Sequence, residues 1–470
     1  MTVCEEMGAW AAGLRLGDVP ERVRERARLQ VASILAAGSA GEAAARPFAR
    51  VAPDGPVGEV YAGAAASMAH DWDDYLYMGH TGHSAVWAAR AFAGDDGERA
   101  AVAQIAGDEV GGRLGAALLL GPHNGQFWSS IHCAAGAVAA GVALGLDGPR
   151  LAHALAIALY QPPYGLWPGF MGPDSKLLTA AEPAGAGARA ALLAADGVRG
   201  ALDVVEDPRG LLAQLSFAPR PALLGALGEV WLTDTLAFKP HPGCAYLQAA
   251  VEAALTAGAA ADEVEAVDVE AGWLTAEMER LGLRGGWTPV GVGFSVARSV
   301  AVALVAGRLT HAELDPDWLR AHRSEVEALA ARVSVRHDWE LTLRTLRGAA
   351  DAGASLRDVP LRAWPRVARR ARETGMAPGG LDLRSLARRP GLRRELRRLL
   401  MRRPPRPGIA GIDTGALRMT FPCRLRIRLR SGRMLELDGA EPGAAGRPLA
   451  EQRAVVERRA ALAGEPVGAR

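Results

Sequence analysis

The chain has 470 residues, of which 49% are hydrophobic, 23% are charged and only 5% are aromatic. Its net charge of +2 makes no general case for a nucleic-acid partner, and its length predicts two domains or one domain with a large insertion. The four cysteines are far apart and form no Cys-x-x-Cys pair, which argues against a zinc knuckle or a disulfide framework.

The first residues carry acids where a signal peptide would carry basic residues. The longest apolar run, around Cys133 to Leu146, is too short and too rich in glycine to span a bilayer. We therefore expect a cytoplasmic protein with no membrane contact and no nucleic-acid partner.

Residues 1–262 predict one helix after another. The dipeptide Val19-Pro20 begins the first clear helix, because proline is favoured in a first helical turn and apolar residues follow at helical spacing. Further helices are predicted over 97–120, 132–146, 149–161 and 184–196. The segment 132–146 is small and apolar on nearly every side, which predicts a helix that is buried all round. Glu109 and Arg113 have the spacing of a helical ion pair.

The second part of the chain changes character near residue 263. Residues 264–270 alternate as a strand does, 294–306 predict a helix and 333–335 predict a short strand. Residues 424–429 and 434–437 predict a hairpin around Ser431-Gly432. The predicted fold class is mainly α with a smaller α/β part. It comprises a helical catalytic domain over 1–262 and an α/β lid domain over 263–445, with 446–470 packing back on the helical domain.

An arginine-rich insertion at about 349–410 lies within the predicted lid. Between Arg362 and Arg406 there are fifteen arginines and three acids. One interpretation is a solvated helical insertion. The other is a surface for an anionic partner or for the acidic remainder of a second copy of the chain. Trp364 is the only aromatic residue among these arginines, so base stacking is not indicated.

Four segments concentrate the residues that can carry chemistry. Isolated charges in an apolar helical core are costly unless they are paired or functional, so the first segment predicts the wall of an active site. The segments are His70-Asp71-Trp72-Asp73-Asp74 with His80-Thr81-Gly82-His83, Gly121-Pro122-His123, Ser175-Lys176, and Phe238-Lys239-Pro240-His241-Pro242-Gly243-Cys244.

These four segments, in this order, resemble the MmgE/PrpD superfamily, which includes 2-methylcitrate dehydratases and cis-aconitate decarboxylases. The resemblance covers most of the chain. The matches are an Asp-x-Asp-Asp segment followed by His83, a Gly-x-His segment at 121–123 before a small-residue helix ending in Leu144-Gly145-Leu146, a lysine that opens a helix at Lys176, and Lys-x-x-Pro-x-Cys at 239–244.

The resemblance implies a helical domain that carries the site, an α/β lid, a homodimer, and neither a metal nor an organic cofactor. It also implies that the catalytic residues are Asp71, His83, His123, Lys176 and Lys239. Asp71, Asp73 and Asp74 are the candidates for the family carboxylate, and we assign it to Asp71. Asp74, His80 and Gln248 are expected to bind substrate.

The residue types suit a reaction on a small carboxylic acid, the substrate class that the resemblance implies. Loss of water or carbon dioxide from such a molecule builds negative charge beside a carboxylate, which lysines can stabilise. A histidine of near-neutral pKa can transfer the proton, a contribution typically worth about 10²–10⁴ in rate. We expect Asp71 to orient, His83 and His123 to share proton transfer, and Lys176 and Lys239 to hold substrate.

Some positions depart from the family pattern. Pro122 replaces the usual aromatic residue, and Ala245 and Gln248 stand where an arginine and a histidine are common. The loss of a cation and an imidazole predicts a changed substrate, with fewer carboxylates.

The favoured function is a cofactor-free lyase, with water elimination preferred to decarboxylation. A cis-aconitate-decarboxylase-like enzyme or an epimerase in a specialised pathway is the first alternative. A metal-dependent hydrolase built on His70, Asp71, His80, His83 and His123 is the second. A binding protein that has lost catalysis is the third.

Overall fold

The computed structural model describes residues 1–122, 129–373 and 381–464. It is mainly α with a smaller α/β part, as predicted. The first helices are α1 (Val3–Gly13), α2 (Glu21–Ala49), α3 (Pro56–Met68), α4 (Gly82–Ala93), α5 (Gly97–Ala117), α6 (Ser129–Ala143), α7 (Gly148–Tyr160), α8 (Trp167–Phe170), α9 (Leu178–Ala195) and α10 (Leu211–Leu215). The later ones are α11 (Gln248–Ala257), α12 (Trp273–Gly282), α13 (Pro289–Gly293), α14 (Val296–Ala306), α15 (Pro316–Ala321), α16 (Arg323–Ala330), α17 (Trp339–Asp351), α18 (Trp364–Glu373), α19 (Leu383–Arg388), α20 (Pro390–Leu400) and α21 (Leu449–Ala463).

The strands form two sheets. β1 (Asp74–Tyr75) pairs antiparallel with β2 (Ala237–Phe238). The larger sheet has the order β4-β3-β5-β6, from β3 (Val264–Ala271), β4 (Val333–His337), β5 (Cys423–Leu429) and β6 (Met434–Asp438). β3 runs parallel to β4 and antiparallel to β5. The predicted strands and the hairpin are confirmed, because β5 and β6 pair antiparallel around Ser431-Gly432.

The helix α6 lies at the centre of the helical core. It packs against α4, α5, α7 and α9, and its residues are small enough for these helices to approach closely. A Cβ added at Gly187 of α9 would lie 2.3 Å from the carbonyl oxygen of Cys133. The prediction that this small-residue helix is buried on all faces is confirmed.

The second core lies under the larger sheet. The side chains of β5 alternate between the two faces of the sheet, and Leu425 and Ile427 point into the core. Arg424 and Arg426 lie on the other face and pair with acids on neighbouring strands. The helices α11 and α14 cover the inner face of this sheet. α11 precedes the predicted division at 262/263 but packs with the sheet, and the division itself stays a prediction.

The C-terminal helix α21 lies against α2. Arg453 pairs with Glu25 at 2.6 Å, and the hydroxyl of Ser39 donates to the carbonyl of Ala463 at 3.2 Å. Residues 449–463 therefore contact the helical part of the protein.

The arginine-rich insertion forms α18, α19 and α20. The leucines of α20 pack on α17, while its arginines point outward, which fits the interpretation as a solvated helical insertion. Ion pairs such as Arg347–Glu395 and Arg402–Asp351 fasten the insertion to α17. Among the described residues, no helix combines the length and the apolar character that crossing a membrane would require.

The predicted ion pair of Glu109 and Arg113 is confirmed and fully buried. The carboxylate of Glu109 also accepts hydrogen bonds from the backbone N–H groups of Leu232 and Thr233, at 3.0 and 2.8 Å. Arg113 donates to the carbonyl oxygens of Gly225, Ala226 and Val230. The pair thus ties α5 to the segment 225–233 that leads to the site.

We expect Glu109→Gln to lower the free energy of unfolding by about 3–5 kcal/mol, because it leaves the Arg113 guanidinium buried without a countercharge. Urea denaturation of this variant beside Glu98→Gln, on the exposed start of the same helix, measures the effect. Equal midpoints for the two variants would contradict the prediction.

Candidate active site

The small sheet of β1 and β2 brings two of the predicted segments side by side. Asp74 lies opposite Phe238, and the backbone N–H of Lys239 donates to the carbonyl of Asp73 at 3.3 Å. The N–H of Gly243 donates to the carbonyl of His70 at 2.9 Å. The loop 70–74 and the loop 239–244 are therefore joined along their backbones.

Asp71 lies between the two lysines. Its Oδ1 is 3.0 Å from Nζ of Lys176, and its Oδ2 is 3.2 Å from Nζ of Lys239. The backbone of Asp71 has a φ of 54°, in the left-handed region that only a few residue types tolerate. This conformation turns the carboxylate towards both ammonium groups, and all three side chains are buried.

Asp73 is the carboxylate that orients the histidines. Its Oδ2 is 2.6 Å from Nδ1 of His80 and 2.9 Å from Nε2 of His83, and its Oδ1 contacts Nζ of Lys239. We assigned an orienting role to Asp71, and the catalytic roles of both carboxylates stay predictions, but the side chain in contact with these two histidines is that of Asp73. Asp71 instead bridges the lysines. Sequence spacing could not separate the two carboxylates, because both lie in one irregular loop.

His83 is fixed through both ring nitrogens. Nε2 faces Asp73, and Nδ1 lies 2.9 Å from Oγ of Ser67 on α3. Burial lowers the pKa of His83, and the hydrogen bond that its ring donates to Asp73 offsets this only in part. The neutral ring then donates from Nε2 to Asp73 and accepts from the Ser67 hydroxyl at Nδ1.

The charges of the cluster stabilise one another. Burial alone would raise the pKa of Asp71, but the ammonium groups of Lys176 and Lys239 lower it to about 2. Burial opposes ionisation of Asp73 as well, and Lys239 and His80 hold its pKa well below the usual range. Burial would lower the pKa of Lys239, but Asp71 and Asp73 raise it. Both acids and Lys239 are therefore ionised at neutral pH.

Lys176 and Lys239 are the only lysines of the chain, although lysine and arginine together number 54. Both lie in the site, each less than 2% exposed. Phe170 and Phe294 flank the Nζ of Lys176 at 5.5 Å from each ring centroid. All the remaining residues among these 54 are arginines. The placement of both lysines in the site indicates that the site needs a compact ammonium group.

Asp74 has different partners from Asp73. The amide nitrogen of Gln30 donates to Oδ1 of Asp74 at 3.1 Å and to Oδ1 of Asp108 at 3.2 Å. Burial and the negative charge of Asp73 raise the pKa of Asp74 well above its usual value. Its predicted role in substrate binding stays a prediction.

Burial raises the pKa of Asp108 to about 7, although hydrogen bonds from Thr81 and Gln30 oppose the shift. The folded protein therefore holds this proton more tightly than the unfolded chain does. The resulting stability is complete below the ordinary pKa of 3.8 and is lost as the pH rises towards 7.

We expect Asp108→Asn to gain stability relative to the wild type as the pH rises from 5 towards 7, because asparagine cannot ionise and keeps its stability. A tenfold difference in proton affinity between the folded and unfolded states corresponds to about 1.4 kcal/mol. Thermal unfolding of both proteins between pH 5 and pH 8 measures the difference. Parallel stability curves would contradict the prediction.

Three of the predicted site residues remain. His80 is brought into the cluster by its bond to Asp73. Gln248 is buried and uses its side-chain amide to bind the backbone of His241 and Cys244, so it holds the loop after Lys239; its substrate contact stays a prediction. His123 lies outside the described residues.

Sequence reasoning missed several neighbours of the cluster. Ser67 lies one turn of α3 from the loop, and His132 on α6 lies with its ring centroid 6.0 Å from that of His83. Ala245, where the family often has arginine, packs in an apolar cluster with Tyr75 and Phe421.

Asp73, His80 and His83 also offer ligand atoms that lie within 4.8 Å of one another, so they could hold a metal ion. The ammonium group of Lys239 pairs with Asp73 and would repel such an ion. Nε2 of His70, a member of the predicted hydrolase set, instead lies 3.1 Å from the carbonyl of Ala40.

Comparison with known proteins gives two matches. The model of the MmgE/PrpD N-terminal domain matches residues 55–223, and that of the MmgE/PrpD C-terminal domain matches residues 241–357. Together they cover more than half of the chain. Asp71, Asp73, His80, His83 and Lys176 lie in the first match, while Lys239 and the helix α21 lie outside both. No curated protein matches the chain.

Proposed function

This chain belongs to the MmgE/PrpD superfamily, and we propose that it is a cofactor-free lyase that removes water from a small polycarboxylic acid, as a 2-methylcitrate dehydratase does. The observation that carries the proposal is the buried cluster in which Asp73 holds two histidines beside Lys176 and Lys239. It combines proton transfer with positive charge for carboxylates.

In such an elimination a base removes a proton from the carbon beside a carboxylate. The C–O bond on the next carbon breaks as the double bond forms, and the protonated base gives its proton to the departing hydroxyl group, which leaves as water. Asp73 binds Nδ1 of His80, and no residue in the described part of the chain bonds to Nε2 of that ring. His80 Nε2 can therefore accept the proton, while Asp73 stabilises the imidazolium that forms. This adds His80 to His83 and His123 as a candidate for proton transfer.

The lysines stabilise the negative charge that develops on the substrate carboxylate. In the structure each ammonium group already has three partners. The longest contact of Lys176 is to the carbonyl of Met68 at 3.3 Å, and the longest of Lys239 is to Oδ2 of Asp71 at 3.2 Å. A substrate carboxylate that replaces the Met68 carbonyl gains a charge-assisted hydrogen bond to Lys176, while Asp71 stays paired with both lysines.

Two further reactions use the same groups. A decarboxylation needs the lysine charges but no initial proton removal, and an epimerisation needs proton removal without loss of a group. A metal-dependent hydrolase would require a metal ion among Asp73, His80 and His83. The expected homodimer and the expected cytoplasmic location remain part of the proposal.

The test is incubation of the chelator-treated protein with 2-methylcitrate, citrate, cis-aconitate and related di- and tricarboxylates, followed by NMR in deuterated water. We expect a product that has lost water, and His80→Gln should abolish its formation, whereas His322→Gln, at a distant half-buried histidine, should not. Loss of carbon dioxide or deuterium exchange alone would assign the alternative reactions. Activity that needs added metal would contradict the proposal.

A further inference from the structure

The helix α21 backs the small sheet that positions the active site. The amide of Gln452 donates to the carbonyl of Leu236 at 2.9 Å, directly before β2. Val455 and Val456 pack in one apolar cluster with Leu236 and Phe238. Arg459 lies seven residues after Gln452, two turns further along the same face of the helix.

The guanidinium of Arg459 binds the backbone of both catalytic loops. Its Nη1 donates to the carbonyl of Asp73 at 3.1 Å and to the carbonyl of Lys239 at 3.3 Å, and its Nη2 donates to the hydroxyl of Ser33. The group also lies 5.8 Å from the ring centroid of Trp72. Arg459 is 1% exposed.

This geometry joins the residues on which the chemistry depends. Asp73 and Lys239 contact each other through their side chains, and Arg459 fixes the backbone of each from behind. A planar guanidinium can serve three acceptors at fixed angles, which a lysine ammonium on a flexible stem cannot reproduce.

Arg459 also changes the charge balance of the site. Lys176 and Lys239 are offset by Asp71 and Asp73, whereas within residues 1–122, 129–373 and 381–464 no carboxylate forms an ion pair with Arg459. Burial lowers the pKa of Arg459 to about 10, although Asp74 and Asp73 oppose the shift, so it remains protonated at neutral pH. Arg459 therefore adds a third buried cationic group to Lys176 and Lys239, which favours an anionic substrate.

We infer that Arg459 is a positioning residue of the active site, which holds Asp73 and Lys239 in register and supplies a further buried positive charge for a substrate with more than one carboxylate. The inference rests on the proposed function for its kinetic consequences. It makes the C-terminal helix, which lies outside both family matches, a part of the site.

The kinetic test compares three variants of the full chain. We expect Arg459→Met to lower kcat by about 10²-fold, since a displacement of about 1 Å between catalytic groups has that cost. KM should rise more for a tricarboxylate than for a dicarboxylate, because a buried positive charge is lost. Arg459→Lys should recover the KM but not kcat. Arg453→Met, which removes an exposed pair on the same helix, should leave both unchanged.

A spectroscopic test uses the presence of only two lysines in the chain. Protein labelled with ¹³C at the lysine ε carbon should give two signals, which Lys176→Arg assigns by removing one. We expect Arg459→Met to shift the Lys239 signal and to leave the Lys176 signal in place. Arg453→Met should move neither. If Arg459→Met does not fold, the shifts of the Lys239 and Lys176 signals are measured in Arg459→Lys instead. That spectrum has one added signal, from the new lysine.

The two tests separate the inference from the proposed function. Unchanged kcat and an unchanged Lys239 signal in a folded Arg459 variant would overturn the inference. A wild type without lyase activity would overturn the proposed function, and the Lys239 signal would still show whether Arg459 positions the site. Equal shifts of both lysine signals would indicate a general structural role and would also overturn the inference.

Discussion

The Asp73→Asn variant is expected to fold and to lose about 10³-fold or more in kcat. Asp73 accepts from His80 and His83 on one oxygen and contacts Lys239 through the other. Asparagine has only one oxygen, so its amide nitrogen must face either the histidines or the ammonium group. If the amide nitrogen faces the histidines, it donates a hydrogen bond to Nδ1 of His80. The His80 ring then carries its proton on Nε2, and Nε2 cannot act as a base.

The measurement is kcat against pH for the wild type and Asp73→Asn, with circular dichroism to establish folding. The matched control is Asp108→Asn, at another buried acid that lies beyond Gln30 and does not contact the lysines. We expect this control to stay within about threefold of the wild type. A loss in Asp108→Asn as large as that in Asp73→Asn would show that any buried carboxyl in this region has the same effect, and would contradict the assignment.

Replacement of Lys239 should have two separable effects. Lys239→Met should reduce kcat/KM by about 10³-fold, because the ammonium group that stabilises the developing carboxylate charge is gone. The variant should also lose about 3–5 kcal/mol of unfolding free energy, because Asp71 and Asp73 are left with fewer countercharges in a buried site. Lys239→Arg keeps the charge but not the compact shape, so we expect it to remain at least about 10²-fold below the wild type.

The double variant Lys239→Met, Asp71→Asn separates stability from catalysis. Removing one buried carboxylate together with the ammonium group restores the charge balance, so the midpoint of urea unfolding should recover most of its loss. Activity should remain low. An active double variant, or an Lys239→Arg variant with wild-type kcat/KM, would show that Lys239 is structural and would exclude it from the proposed mechanism.

The local elements were predictable because they depend on periodicity and turn chemistry. The alternation of β5 and β6 around Ser431-Gly432, the small-residue helix α6 and the Glu109–Arg113 pair follow from spacings within one element. The family also followed from the order of four short segments, which the two matches confirm.

The roles of the carboxylates were not predictable in the same way. Asp71, Asp73 and Asp74 are neighbours in sequence, but the first bridges two lysines, the second contacts two histidines and the third accepts from the amide of Gln30. The left-handed backbone of Asp71 and the pairing of β1 with β2 decide which way each side chain points. Neither feature leaves a periodic signal in the sequence.

The sequence by itself determined the fold class, the family and the set of side chains from which the site is built, since these follow from local patterns and residue types. Only the tertiary structure decided how these side chains pair and that Arg459 joins them, because the partners come from segments separated by up to 386 positions, as in the bond from Arg459 to Asp73. Burial then fixed their charges, since a buried ionisable group takes its charge state from whichever partner the fold places beside it.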